Sequence, residues 1–370
     1  MPALPHQNRR IRSLGIERLN EPYFFPYEEG PAGDGQVRLD LMFTGISAGT
    51  ELTFLKGTNP YLHSRWDEGR GAFIPGEPSA RFPINFLGYM EVGRVIDSRA
   101  AGFDVGDVVA TTFGHKTGHT ANPDRDLLLA MPEGMDPLLG IFAAQMGPIA
   151  ANGILHADAE EFGAAVPYLG AGVAGRPVLV WGGGTVGQFC ALFARRAGAS
   201  EVVVVDPSPW RQDLSRCMGF NAMGEDEAWR YAKSRWQAKV AGGSGADIVL
   251  QTRPRSDSLT MALRALRPQG TVIDLAFYQG GMDDTRLGEE FHHNGLSIRC
   301  AQINRMPRQL AHAWDQRRLA QETLALLADE GELIRKHMIT HVVPYDDAPE
   351  FLRHLVRDRP DFLQIVLEHA

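Results

Sequence analysis

The chain has 370 residues, 44% hydrophobic and 22% charged, which is the balance of a globular protein long enough for two domains. A formal net charge of −8, with no basic run longer than Arg9-Arg10-Ile11-Arg12, argues against a nucleic-acid partner, and no apolar stretch approaches the ~20 residues that span a bilayer. The N-terminus lacks the apolar core of a signal peptide, and three scattered cysteines fit a reducing cytoplasm, with Cys190, Cys217 and Cys300 expected as buried small apolar groups.

Residues 1–155 read as β-rich. Gln36 to Met42 alternates apolar and polar, the pattern of a half-buried strand. Dense punctuation by Gly57, Pro60, Gly76, Pro78, Pro83, Gly88, Gly93, Gly102 and Gly106 predicts short strands in a small barrel or sandwich. The interval Asn59–Pro83 is long for a loop in a compact domain, so it is read as a substrate-specificity loop or lid, with Trp66 either packing on the barrel, the favoured role, or lining the cleft. His115 and His119 have helical metal-site spacing, but Gly114 and Gly118 speak against a helix and no third ligand is near. That segment is left either as a solvated loop or as one whose His115 or Lys116 contacts substrate or donates a proton. Helical character rises over residues 136–155.

The run Val178-Leu179-Val180-Trp181 feeds the turn Gly182-Gly183-Gly184-Thr185-Val186-Gly187, and a helical pattern leaves it through Phe189, Ala191, Leu192 and Ala194. A second apolar run ends in Asp206, roughly twenty residues on. This is the G-x-G-x-x-G arrangement of a dinucleotide site. Gly182 makes the tight turn, Gly184 admits the pyrophosphate to the backbone, and Gly187 lets helix and strand pack closely. The helix N-terminus, with Thr185 and Val186 in its first turn, offers N–H groups to phosphate. Asp206 would accept from a ribose 2′-hydroxyl, favouring NAD over NADP; Arg211 would either cover the adenine or pair with a 2′-phosphate, which keeps NADP open.

Strand and helix then alternate, as in a parallel sheet with helices on both faces. Strands are predicted at 247–250, 271–275 and 297–300, and helices at 210–217, 257–266 and 309–329. The tail reads as strand 340–344, helix 347–356 and strand 362–367. Phe277 and Tyr278 follow a strand at the carboxyl edge of the sheet, where their backbone would face the nicotinamide carboxamide.

Four further segments complete a resemblance. Gly45-Ile46-Ser47-Ala48-Gly49-Thr50-Glu51, Gly88-Tyr89-Met90-Glu91-Val92-Gly93, Gly106-Asp107-Val108-Val109 and Ile339 to Ala348 occur in the order found in the medium-chain dehydrogenase/reductase superfamily, which the chain resembles over nearly its whole length. The resemblance implies an α/β fold: a GroES-like β-rich catalytic domain (1–155 and 331–370) and a Rossmann doubly wound domain (156–330). It also implies a homodimer paired near Ser297–Ile303. Zinc members carry ligands where this chain has Ser47 or Ala48, Tyr89 and Gly147, so no catalytic zinc is expected. The pattern is similar to the zinc-lacking branch containing bacteriochlorophyllide hydroxyethyl dehydrogenase.

Without a metal, some donor must stabilise the developing oxyanion. Thr50 resembles the family's hydroxyl relay, Tyr89 replaces a ligand aimed at the reacting oxygen, and Ser47 is a small positioning group; Tyr89 could equally fill the space left by zinc, and Ser47 could be a satisfied turn hydroxyl. Glu51 is expected to be structural. The expected activity is zinc-independent, NAD(P)-dependent hydride transfer to or from a carbonyl or secondary alcohol of a small molecule. A metal-free enoyl or quinone reductase and a non-catalytic NAD(H) sensor are the alternatives.

Overall fold

The computed structural model describes residues 7–237, 242–358 and 360–369. It divides into two compact units, Met1–Gln145 with Ile339–Ala370, and Met146–Met338.

In the first unit, β1 (Arg9–Arg18) and β2 (Glu21–Glu29) form an antiparallel hairpin. Then come β3 (Val37–Ile46), α1 (Glu51–Leu55), β4 (Ser64–Asp67), β5 (Ala72–Pro75), β6 (Glu91–Ser98), β7 (Val108–Thr111), β8 (Gly118–Ala121) and β9 (Leu128–Ala130). β3 is covered more fully than an alternating strand should be: Val37, Arg38 and Leu39 are all buried. It pairs with both β6 and β8, and its apolar residues join Val95, Val109, Ala121 and Leu128 in one core. The segment holding His115 and His119 is neither helix nor solvated loop. His119 lies in β8, and both rings are buried. The long interval 59–83 contains the hairpin β4–β5, which pairs with nothing else in the sheets.

The second unit opens with α2 (Met146–Phe162), β10 (Pro177–Trp181), α3 (Thr185–Arg196), β11 (Glu201–Val205), α4 (Pro209–Cys217), β12 (Asn221–Met223), α5 (Glu225–Arg235), β13 (Ala246–Gln251), α6 (Ser256–Ala265), β14 (Leu266–Asp274), the short turn α7 (His292–Asn294), β15 (Ser297–Cys300) and α8 (Gln316–His337). The six strands are parallel, in the order β12-β11-β10-β13-β14-β15. Counted from β10 this is 3-2-1-4-5-6, so the chain reverses direction across the sheet at β10 and β13, the place where open α/β sheets bind ligands.

α8 starts later than the apolar pattern suggests because the Asp315 side chain accepts from Arg318 N at 2.7 Å and caps it there. Cys190 is buried, as expected. Cys217 and Cys300 are exposed, which corrects the reading of all three as core residues: one ends α4, and the other lies on the edge strand β15.

The chain then returns to the first unit as β16 (Ile339–Pro344), α9 (Ala348–Asp358) and β17 (Gln364–Glu368). These strands complete a sheet in the order β16-β17-β3-β6-β7-β9, with β8 on β3. No helix among the described residues is long and apolar enough to cross a membrane.

Candidate active site

The glycine turn joins β10 to α3, and each glycine there has a separate steric reason. Gly182 has φ +109°, a conformation that side chains disfavour, and a Cβ on it would meet Thr252 Oγ1 at 2.5 Å. A Cβ on Gly187 would stand 1.8 Å from the Gly182 carbonyl oxygen, so the helix could not lie this close to the turn with any side chain there. Gly184 differs: a Cβ there would meet nothing within 4 Å. Gly182, Gly183 and Gly187 are buried, whereas Gly184, Thr185 and Val186 are half-exposed at the start of α3. The open space therefore lies at the helix N-terminus, where backbone N–H groups and the helix dipole favour a phosphate. These residues fit a dinucleotide.

Neighbours that the motif did not announce hold the turn. Thr252 Oγ1 donates to the carbonyls of Trp181 (3.0 Å) and Gly182 (3.1 Å), and Gln188 Nε2 donates to the carbonyl of Gly183 (3.2 Å). Asp206 is buried; its Oδ2 accepts from Gly183 N and its Oδ1 from Ser208 N, both at 2.9 Å. Arg211 Nη1 lies 3.6 Å from Asp206 Oδ2, so this guanidinium stands beside the acid. At the carboxyl edge of β14, Tyr278 donates to Asp274 Oδ2 at 3.0 Å, and Phe277 is 41% exposed. Burial raises the Asp274 carboxyl to about 6, against the pull of hydrogen bonds from Ala276 N and the Tyr278 hydroxyl.

In the first unit, the turn after β3 and the segment before β6 bring three hydroxyls together. Ser47 Oγ and the Tyr89 phenol share a short hydrogen bond, and the phenol lies 3.3 Å from Thr50 Oγ1. Ser47, rather than Ala48, thus faces Tyr89. Burial raises the Tyr89 pKa, the Glu51 charge adds to that, and the Ser47 and Thr50 hydrogen bonds oppose it. The phenol keeps its proton at neutral pH. Behind this cluster Glu51 Oε1 accepts from Ser47 N at 2.9 Å, while its Oε2 lies 2.6 Å from His115 Nε2. His115 Nδ1 is 2.8 Å from Thr44 Oγ1. The His115 ring also presses on Gly88, where a Cβ would meet Nε2 at 2.8 Å. Of the four residues expected to carry chemistry, Ser47, Thr50 and Tyr89 touch one another, and His115 stands one layer behind them through Glu51.

Residues 185–316 match the zinc-binding dehydrogenase family model. Over 346 residues, 90% of this chain and 93% of the relative, the sequence is 27% identical to the D-guloside 3-dehydrogenase of Escherichia coli K12. The chain resembles the medium-chain dehydrogenase/reductase superfamily, and these matches support that assignment. It is an oxidoreductase of the NAD(P)-dependent alcohol and polyol dehydrogenase type. The fold agrees: an alcohol dehydrogenase of Thermotoga maritima superposes with a TM-score of 0.71 at 17% identity, covering 98% of this chain and all of that one. The galactitol-1-phosphate dehydrogenase of E. coli gives 0.70 at 16% identity, covering 96% and 99%.

Within the superfamily, a catalytic zinc takes thiolate, imidazole or carboxylate donors in tetrahedral array. The positions that the sequence reading assigned to those ligands hold Ser47 and Tyr89, two neutral hydroxyls bonded to each other, and Gly147. A Cβ on Gly147 would stand 2.0 Å from Thr323 Cγ2, because α2 approaches α8 there without room for any side chain. Among the described residues no group of three or more His, Cys, Asp and Glu is arranged to hold a metal. This donor set does not fit zinc.

Proposed function

We propose that this protein is a zinc-independent dehydrogenase that moves hydride between a nicotinamide and a carbonyl or secondary alcohol carbon of a polyhydroxylated small molecule, a polyol or a glycoside. The observation that carries the reading is the Ser47–Tyr89–Thr50 hydroxyl cluster, in which Ser47 and Tyr89 stand where zinc members of the family carry ligands. The relative named for action on a guloside supports the substrate class.

A nicotinamide coenzyme held by the Gly182–Gly187 turn and Asp206 would supply or accept the hydride. Tyr89, protonated at neutral pH, donates a hydrogen bond to the substrate oxygen. As the carbonyl carbon gains hydride, that oxygen becomes an alkoxide and takes the phenolic proton. Ser47 and Thr50 then hydrogen-bond to the phenolate oxygen and limit its charge. Alcohol oxidation runs the same transfers in reverse. Glu51 orients the cluster by fixing the Ser47 amide, and His115 fixes Glu51. Asp206 supports NAD as the preferred cofactor. The exposed residues of β15, Ser297–Cys300, support pairing of two copies along that edge. Three cysteines outside any disulfide support a cytoplasmic setting. A neutral phenol would serve reduction of an activated C=C bond equally well; deuterium from labelled cofactor distinguishes the two, appearing on the carbinol carbon in one case and β to the carbonyl in the other.

The test is Tyr89→Phe. Loss of one oxyanion donor should lower kcat by about 10²–10³, with NADH affinity unchanged. Metal analysis should find zinc far below one per chain and activity intact after chelation. Stoichiometric zinc lost together with activity would refute the proposal.

A further inference from the structure

The hairpin β4–β5 is the least embedded part of the first unit: no residue from Pro60 to Ala80 is buried. A lone two-stranded hairpin is marginal in water, yet this one is firmly tied. Gly76 N donates to His63 O (3.1 Å), Ala80 N to Tyr61 O (3.0 Å), and the Asp67 side chain closes the turn by accepting from Arg70 N (2.9 Å). Trp66 and Phe73 are directly paired across the strands, with ring centroids 5.2 Å apart, and Tyr61 packs on Phe73 at 5.7 Å. Phe73 is 43% and Tyr61 37% exposed. Arg65, Glu77, Asp67 and Arg70 form a network of ion pairs on the same arm.

The base of this arm is hydrogen-bonded to the reaction centre. The Thr50 carbonyl accepts from Thr53 Oγ1, which accepts from Asn59 Nδ2 at 2.7 Å, and Asn59 Oδ1 accepts from Tyr61 N at 3.0 Å. Asn59 is buried. The aromatic trio is therefore held in a set relation to the Thr50 and Tyr89 hydroxyls, within one unit.

We infer that the Tyr61–Trp66–Phe73 face binds the non-reacting part of the substrate, a hexopyranoside ring whose axial C–H groups stack on these rings. The inference rests on the polyhydroxylated substrate class proposed above and adds the ring form. The negative face of an aromatic ring attracts polarised C–H groups, and an arginine carries five donors, more than its ion pairs use, so the rim can also meet hydroxyls. A second copy of the chain is the poorer occupant. The exposed parts of these rings amount to roughly 200 Å², against ~800 Å² per partner in a stable interface.

The experiment compares wild type with Phe73→Leu and Trp66→Leu, which keep the arm apolar but remove a π-face. The substrates are the methyl pyranosides of glucose, galactose, mannose and gulose, with sorbitol as the linear control. The ratio of kcat/KM for the preferred pyranoside over that for sorbitol should fall about tenfold in each variant. Saturation-transfer NMR on the NADH complex, which needs no turnover, should show the strongest saturation at the axial ring protons in wild type and its loss in both variants. Turnover with an unchanged ratio overturns the inference and leaves the proposed activity standing. Axial saturation without turnover supports the inference while the proposed activity fails. No axial saturation in wild type overturns it, as does a change of sedimentation from dimer to monomer in the variants with the ratio unchanged.

Discussion

Gly184→Ala separates cofactor binding from folding. The residue has φ −77° and ψ −178°, extended backbone that alanine adopts without strain, and the added methyl meets nothing within 4 Å. In the folded protein the change costs little. Alanine restricts the unfolded chain, worth about 0.4–1 kcal/mol of stabilisation, but it is a poorer N-cap than glycine by a comparable amount. The two oppose, so the melting temperature should move by no more than a few degrees. The same methyl occupies the space through which a pyrophosphate would approach the start of α3. Displacing one charge-assisted hydrogen bond there costs about 1.5–3 kcal/mol, or roughly ten- to a hundredfold in Kd. Gly187→Ala is the companion variant. Its methyl would lie 1.8 Å from the Gly182 carbonyl oxygen, so helix and turn must separate. Overpacking of that kind costs about 1–3 kcal/mol, so both stability and affinity should fall. Calorimetric titration with NADH and thermal unfolding read the two quantities. A Gly184→Ala protein with wild-type stability and wild-type NADH affinity would show that the dinucleotide does not use this turn.

Three further outcomes are expected. Asp206→Asn removes the charge beside Arg211, so the ratio of NAD to NADP affinity should drop at least about tenfold; an unchanged ratio would mean that Asp206 only braces Gly183 and Ser208. Asp274, raised from 3.8 to about 6, contributes stability that is fully present below its unfolded value and is lost as pH climbs through 6. Urea titrations of wild type should therefore lose on the order of 3 kcal/mol more than Asp274→Asn between pH 3.8 and 6; parallel pH profiles would contradict the assignment. Thiol titration of the native protein should leave Cys190 unreactive, since burial raises its pKa and covers it, and should modify Cys217 readily. Cys300 lies on the open edge β15, so protection of that thiol would indicate subunit pairing there, and rapid modification would argue against it.

Much of the fold was legible along the chain. The 297–300 strand was placed on its observed bounds, and the strands at 247–250 and 340–344 within a residue or two. Only the 247–250 stretch is a buried, mostly apolar core strand, whereas 297–300 and 340–344 are edge strands marked by short β-branched stretches between helices and turns. The helix α5 was missed although its first turn holds Glu225, Asp226 and Glu227 and its last Lys233 and Arg235, a charge order that marks helix ends without any apolar period. The hairpin within 59–83 escaped because strands of four residues carry too little alternation to read. Thr252 and Gln188 had no signal at all, since they act on the glycine turn through contacts that only the folded sheet creates.

The order of residues by itself determined the glycine-rich turn between β10 and α3, a plan of two units, and which side chains stand at positions 47, 89 and 147. Those depend on local chemistry: which residues tolerate positive φ, which alternate, and which can ligate. The tertiary structure alone decided that Ser47, Thr50 and Tyr89 bond to one another. It alone placed His115 in a buried layer behind Glu51, and it closed Gly147 against Thr323. Such contacts join residues far apart in the chain, and their existence depends on strand register and helix crossing rather than on any local pattern.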